Sequence, residues 1–329
     1  MENVQEPLQP TENIPSAPSY RLSYVGEGWE FFKVLIVNWL LTVVTLGLYY
    51  PWAKARQLQY LYGHTRLNKE PFSFHGTGKE MFTGFIKALI LLGGLYALFF
   101  FLVTNQASVF GLLLFYAVFL SLVPIAIHGS YRYRMSRTSW RGIRFGYRGS
   151  RSELFRNFWS WVFLTVITFG LYAPFLTNNL RTYIWDHVRF GNLRFEFNGS
   201  GSKYFFLFLG GYILTILTLG IYGFWWIKNL FNFYVNHMEI VDPNFNRIKL
   251  KSTATVGSFF ELLVVNFLLT VITLGLAYPW VVNRSMAFMA FHIRPEGDID
   301  LEQLVQSEEN YRDATADDIG DLLDLDFII

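Results

Sequence analysis

The chain contains no cysteine, and only 16% of its 329 residues are charged. The lack of cysteine excludes disulfides, thiolate metal ligands and thiol nucleophiles. The scarcity of charge, beside 52% apolar and 19% aromatic residues, separates this sequence from soluble globular proteins. Motifs typical of hydrolases and metalloenzymes are also missing, so we predict no enzyme activity, no catalytic residue, no cofactor and no metal ion.

Six apolar segments are each long enough to cross a bilayer, which takes roughly 20 helical residues. So many buried segments would leave a soluble protein with too little polar surface. The sequence therefore predicts an integral membrane protein with about six transmembrane helices. The segments are Val34 to Trp52, Phe85 to Val103, Val109 to Ile127, Phe158 to Leu176, Tyr204 to Ile227 and Phe259 to Val282.

The pattern Leu-Thr-x-x-Thr-x-Gly occurs four times, starting at Leu41, Leu164, Leu214 and Leu269. A His follows the first Thr of each copy by 22 positions, where it can cap helix carbonyls or bind a metal. We favour capping, since neither Cys nor suitably spaced carboxylates accompany the histidines. A fifth, degenerate copy with an inserted apolar helix occupies residues 72–142. Repetition of this kind marks units that pack against one another.

Short alternating segments with Gly turns separate the copies and predict β-hairpins, the clearest at Val188 to Phe197 and a second at Glu239 to Lys251. We predict an all-α, multi-pass membrane protein whose helices form internal repeats, with these β-hairpins joining them at the membrane surface. The expected regions are a disordered leader (1–20), a repeated membrane domain (21–293) and an acidic C-terminal tail (294–329). The expected repeat units are 21–71, 72–142, 143–193, 194–247 and 248–293.

Three motifs, the four Leu-Thr-x-x-Thr-x-Gly copies, the Pro-Trp ends and the Phe-x-Phe-x-Gly-x-Gly turns, together resemble the YjgN family of bacterial inner-membrane proteins. The Pro-Trp ends lie at Tyr49 to Trp52 and Tyr278 to Trp280, and the turns at Phe72 to Gly78 and Phe195 to Gly201. The resemblance covers roughly Tyr20 to Ile293. It implies a multi-pass protein of the bacterial cytoplasmic (inner) membrane, and it implies no activity and no catalytic residues.

The distribution of arginine orients the chain, because basic residues near helix ends are retained in the cytoplasm. Residues 129–157 contain eight arginines, whereas the connection 104–108 is uncharged, so we place the first inside and the second outside. With six crossings, both termini then lie outside. If the segments from each Pro to each His also entered the membrane, every β-hairpin and both tails would lie inside. We prefer the first arrangement, in which the Pro-to-His segments are interfacial helices.

Polar side chains at helical spacing within the apolar segments are candidates for a solute pathway or for helix packing. In the first case they line a polar route, and in the second their hydroxyls bond to carbonyls of their own helix. We favour packing. The residues are Asn38, Thr42, Thr45, Thr165, Thr168, Thr215, Thr218, Asn266, Thr270 and Thr273.

Basic residues after each Pro, or after Phe224 in the third copy, are candidates for contacts with anionic lipid headgroups, or for anchors that extend to the interface. They are Lys54, Arg56, Arg181, Lys228 and Arg284. Membrane lipids are therefore the expected partners, and we expect no nucleic acid. The sequence defines neither a specific solute or protein partner nor an oligomeric state.

Two functions fit these features. The first hypothesis is a small-solute or ion transporter or channel, because single-crossing units that alternate in direction form inverted repeats. The alternative is a structural or lipid-associating scaffold whose β-hairpins and tails bind partners.

Overall fold

The structure, a computed structural model, describes residues 21–106, 108–297 and 304–306. Over these residues the chain forms ten helices and ten strands in a regular order. Each of five consecutive units contains a strand, two helices that run in opposite directions, and a second strand. The expected leader and most of the expected acidic tail lie outside the described residues.

Strands are three to six residues long, and most helices have 14 to 17 residues. The strands are β1 Leu22–Tyr24, β2 Thr65–Leu67, β3 Glu70–Phe74, β4 Thr138–Trp140, β5 Ile143–Tyr147, β6 Val188–Phe190, β7 Leu193–Phe197, β8 Met238–Val241, β9 Arg247–Ser252 and β10 Ile293–Glu296. The helices are α1 Gly28–Val44, α2 Tyr50–His64, α3 Gly78–Thr104, α4 Val109–Arg137, α5 Arg151–Ile167, α6 Ala173–Asp186, α7 Gly201–Leu217, α8 Gly223–Asn236, α9 Val256–Ile272 and α10 Tyr278–His292.

The strands form one antiparallel sheet in chain order, from β1 to β10. Pairing occurs within units, as between Tyr24 and Thr65, and between the connected strands of neighbouring units. The β-hairpins predicted at 188–197 and 239–251 are confirmed, as β6–β7 and β8–β9. The prediction of an all-α fold is wrong, because the strands of all the units combine into a single layer.

The helices form a closed ring, since each packs against the next in chain order and α10 packs against α1. At three junctions, which involve Gly28, Gly78 and Gly201, an aromatic side chain from one unit covers the glycine that begins the first helix of the next unit. Trp52 covers Gly78 in this way, and Trp280 covers Gly28 where the ring closes. A Cβ atom at either glycine would overlap the indole ring, so both close approaches require glycine.

The prediction of about six transmembrane helices is also wrong. In the described part of the chain, only α3 and α4, of 27 and 29 residues, are long and apolar enough to cross a membrane. Four of the apolar segments read as single crossings are each broken by a turn, because Thr-x-Gly ends one helix and a second, antiparallel helix begins three residues later. The Pro-to-His segments form these second helices.

Candidate lipid-facing site at the helical turns

The four copies of Leu-Thr-x-x-Thr-x-Gly all form the same turn between two helices. We call residues 45–49, 168–172, 218–222 and 273–277 the tip turns. In the first, the Gly47 N–H donates to the Thr42 carbonyl at 2.7 Å and the Leu46 N–H donates to the Val43 carbonyl at 3.1 Å. This is the Schellman arrangement that ends a helix, and it reverses the chain before the second helix begins.

The residue before each glycine holds an unusual backbone conformation. Leu46, Phe169, Leu219 and Leu274, which we call the tip residues, have φ between 49° and 52°. This left-handed conformation is normally filled by Gly or Asn, and a branched or aromatic side chain there costs about 1 kcal/mol. The side chains are nevertheless large and apolar, and 92–98% of their surface is exposed. Backbone strain that places a bulky apolar group outside the protein indicates a functional surface.

The turn between α3 and α4 differs in composition. Its described residues include Asn105 and Gln106, and Gln106 has the same left-handed backbone, with φ of 51°. At 1.5 Å per residue, the 27-residue α3 is about 40 Å long, and the 17-residue α1 is about 25 Å long. Because both helices start at the strand layer, the polar turn extends about 15 Å further than the apolar tip turns.

The threonines of the repeat bond to their own helices. Thr42 donates its hydroxyl hydrogen to the Asn38 carbonyl at 2.7 Å, and Thr45 donates to the Leu41 carbonyl at 2.7 Å while accepting from the Tyr49 N–H at 2.9 Å. The second Thr therefore links the two helices of the tip turn. The same bonds, at 2.6–3.0 Å, are made by Thr165, Thr168, Thr215, Thr218, Thr270 and Thr273.

The two predicted asparagines differ in their surroundings. The Asn266 amide donates to the Ser285 hydroxyl at 3.2 Å, between α9 and α10. Asn38 is fully buried, and the described residues give neither atom of its amide a hydrogen-bond partner. Lys54, also buried, lies at the same height, since each is ten residues from the strand end of its helix. The structure therefore brings two polar groups of the first unit to one level of the bundle.

The basic residues predicted to contact headgroups do not share one environment. Arg56 is exposed, whereas the Arg181 guanidinium stacks 3.3 Å from the centre of the Tyr234 ring. The Lys228 ammonium lies 3.4 Å from the Asn229 side-chain oxygen. Arg284 lies 3.6 Å from the Glu261 carboxylate, and Lys54 is buried as described.

Burial favours the neutral form of two tyrosines, Tyr24 and Tyr147, which lie on the strands that precede α1 and α5. Burial raises the pKa of the Tyr147 hydroxyl far above its usual range, and it also raises the pKa of Tyr24. Tyr24 uses its proton to bond to Asn283 on α10, which joins the first unit to the last. The repeated histidines lie nearby at the helix ends, each with Nδ1 2.6–3.0 Å from the carbonyl oxygen four residues earlier.

Two helices that are long and apolar enough to cross a membrane, beside a set of exposed apolar turns, indicate the class of membrane proteins. The family model described as "Bacterial protein of unknown function (DUF898)" matches residues 19–198 and 226–322. The chain belongs to this family, which confirms the resemblance seen in the sequence. No solved structure matches the chain.

Curated relatives of the chain are named as inner membrane proteins. The chain is 29% identical over 145 residues to inner membrane protein YjgN of Salmonella typhimurium, a match that covers 44% of this chain and 34% of the relative. It is 30% identical over 155 residues to the protein of that name from Escherichia coli O157:H7, covering 47% and 37%. The matches thus span about a third of the length of these relatives. The protein is a bacterial inner-membrane protein.

The tip residues were not among the sites predicted from the sequence. Their signal is nevertheless visible, because the position between Thr and Gly is Leu or Phe in every copy of the repeat.

Proposed function

We propose that the protein is a structural, lipid-associating protein of the inner membrane that inserts its helical turns into the bilayer from the cytoplasmic face. The observation that supports this most directly is the set of tip residues. Each is apolar, strained and 92–98% exposed, a combination that is unfavourable in water and favourable in lipid.

The units differ in how far their helices extend into the bilayer, because the helices differ in length. A hydrocarbon core is about 30 Å thick, so α3 and α4 cross it and expose Asn105 on the far side. The helices that end in tip turns are about 15 Å shorter and remain within lipid. The units therefore share one direction, with every β-hairpin on the arginine-rich, cytoplasmic side. Units that share one direction do not form inverted repeats, and the transport hypothesis drawn from the sequence depended on such repeats.

Single cysteines test this arrangement, because the chain has none of its own. The variants Leu46→Cys, Phe169→Cys, Asn105→Cys and Asn192→Cys are exposed to a membrane-impermeant thiol reagent on intact cells. We expect labelling only at Asn105→Cys, and labelling of Asn192→Cys after the cells are permeabilised. The tip variants should stay unlabelled in both cases, since lipid excludes the reagent. Labelling of a tip variant from outside would show that the shorter helices cross the membrane and would refute the proposal.

A solute or ion pathway is the second candidate, and Asn38 is the observation that favours it. A buried amide without a partner among the described residues is costly in a membrane helix, and polar groups there often serve a pathway. Flux of a solute or ion through liposomes containing the protein, lost in Asn38→Leu, would favour this candidate. Flux that Asn38→Leu leaves unchanged would exclude Asn38 from the pathway.

A further inference from the structure

The first and last units meet at a break in the strand layer. Strands β1 and β10 are the two edges of the sheet, and within the described residues they do not pair with each other. The helices beside them do close the ring, through α10 and α1. A cavity of about 530 Å³, which we call the seam cavity, opens here between β1, α9, α10 and β10.

The seam cavity is basic. Among its described lining residues, three arginines, Arg21, Arg284 and Arg294, face one carboxylate, Glu261. Glu261 lies 3.6 Å from the Arg284 guanidinium, a loose and largely exposed ion pair. The described residues place no carboxylate within ion-pair distance of Arg21 or Arg294. The charge of the cavity therefore favours an anion.

The remaining walls of the seam cavity are apolar. Leu262, Phe288 and Phe291 line it beside the arginines, so the cavity has a charged end and an apolar side. This combination fits an amphiphile better than a free inorganic anion.

A second cavity adjoins the seam. The sheet curves far enough that side chains from nine described strands enclose an apolar space of about 200 Å³, the interior cavity. Leu22 on β1 lines both cavities, and Ile293 on β10 lines the interior one. Protein interiors are normally packed without voids of this size, and an apolar void binds apolar groups rather than water. The interior cavity therefore has room for part of an apolar chain.

We propose that the seam binds one anionic phospholipid of the inner membrane. Its phosphate lies among Arg21, Arg284 and Arg294, and one acyl chain passes Leu22 toward the interior cavity. The inference rests on the proposed function in one respect, because it needs the strand layer to adjoin the bilayer.

Native mass spectrometry of the full chain in mild detergent tests the headgroup contact, with phosphatidylglycerol or phosphatidylethanolamine added. We expect one bound phosphatidylglycerol, held about tenfold more tightly than phosphatidylethanolamine, since a charge-assisted contact supplies this difference. Arg294→Gln should weaken phosphatidylglycerol binding about tenfold. Arg66→Gln is the matched control, because Arg66 follows Thr42 by 24 positions, as Arg294 follows Thr270, but lies away from the seam.

Equal binding of the two lipids, or equal effects of Arg294→Gln and Arg66→Gln, would overturn the proposal. Competition by soluble glycerol phosphate at the same concentration as the lipid would also overturn it, since the site would then bind an anion without its chains. Leu22→Trp narrows the passage between the cavities. It should weaken a long-chain phosphatidylglycerol more than a short-chain one, and equal weakening would reject the path of the acyl chain.

The cysteine-labelling experiment separates this inference from the proposed function. Labelled tips together with selective phosphatidylglycerol binding would reject insertion of the turns and retain the seam site. Protected tips without selective binding would reject the seam site alone.

Discussion

Replacing Leu46 by Asn separates the strain of a tip turn from its benefit in lipid. Asn tolerates the left-handed backbone, so the substitution relieves about 1 kcal/mol of strain in the turn. It also removes a 94% exposed Leu side chain, whose transfer into lipid is worth about 2 kcal/mol. Placing the Asn amide in hydrocarbon without a partner costs about 2 kcal/mol more. In a bilayer the variant should therefore be about 3 kcal/mol less stable than the parent.

Thermal unfolding in lipid nanodiscs, followed by near-ultraviolet circular dichroism of the aromatic side chains, measures this effect. Gln106→Asn is the control, because Gln106 has the same φ but lies at the polar turn of the longer helices. We expect a lower midpoint for Leu46→Asn and an unchanged or slightly higher one for Gln106→Asn. A midpoint for Leu46→Asn at or above that of the parent would show that the tip lies in water and refute the reasoning.

Four further substitutions follow from local geometry, each measured by thermal unfolding. Gly47→Ala should destabilise by about 1 kcal/mol because its φ is 91°, whereas Gly63→Ala, within a helix and with open space around it, should stabilise by a similar amount. Gly28→Ala should destabilise by about 2 kcal/mol, since the new methyl group overlaps Trp280 where the ring closes; an unchanged midpoint would mean that this contact is absent. Leu304→Ala should cost about 3 kcal/mol, because this buried side chain packs against the strand layer; a loss below about 0.5 kcal/mol would indicate that it does not.

The β-hairpins could be predicted because their signals are local. A fixed spacing from Thr to His and a Gly-Asn pair between alternating runs are readable within one stretch of chain. The sheet could not be predicted in this way. Phe145 pairs with Phe190, 45 residues later, and strands of three to six residues contain too little pattern to identify such partners.

The sequence analysis predicts continuous helix across the tip turns, and the reason is their apolar composition. Turns in water are polar, whereas these turns have Leu or Phe next to Gly, so hydropathy alone marks no break in the apolar segments. Gly47 and Pro51 do mark the end of one helix and the start of another, and they are the signals that sequence reasoning undervalued. The threonines were identified as polar positions, but the exposed residue between Thr45 and Gly47 was not.

The closed ring also sets an order in which the chain can assemble. Contacts between neighbouring units, such as Trp52 on Gly78, join residues close in sequence and can form while synthesis continues. The contact between Tyr24 and Asn283 joins residues 259 positions apart. The surface of the first unit around Gly28 therefore stays uncovered until the last unit has been synthesised. Closure of the ring is the final step of folding.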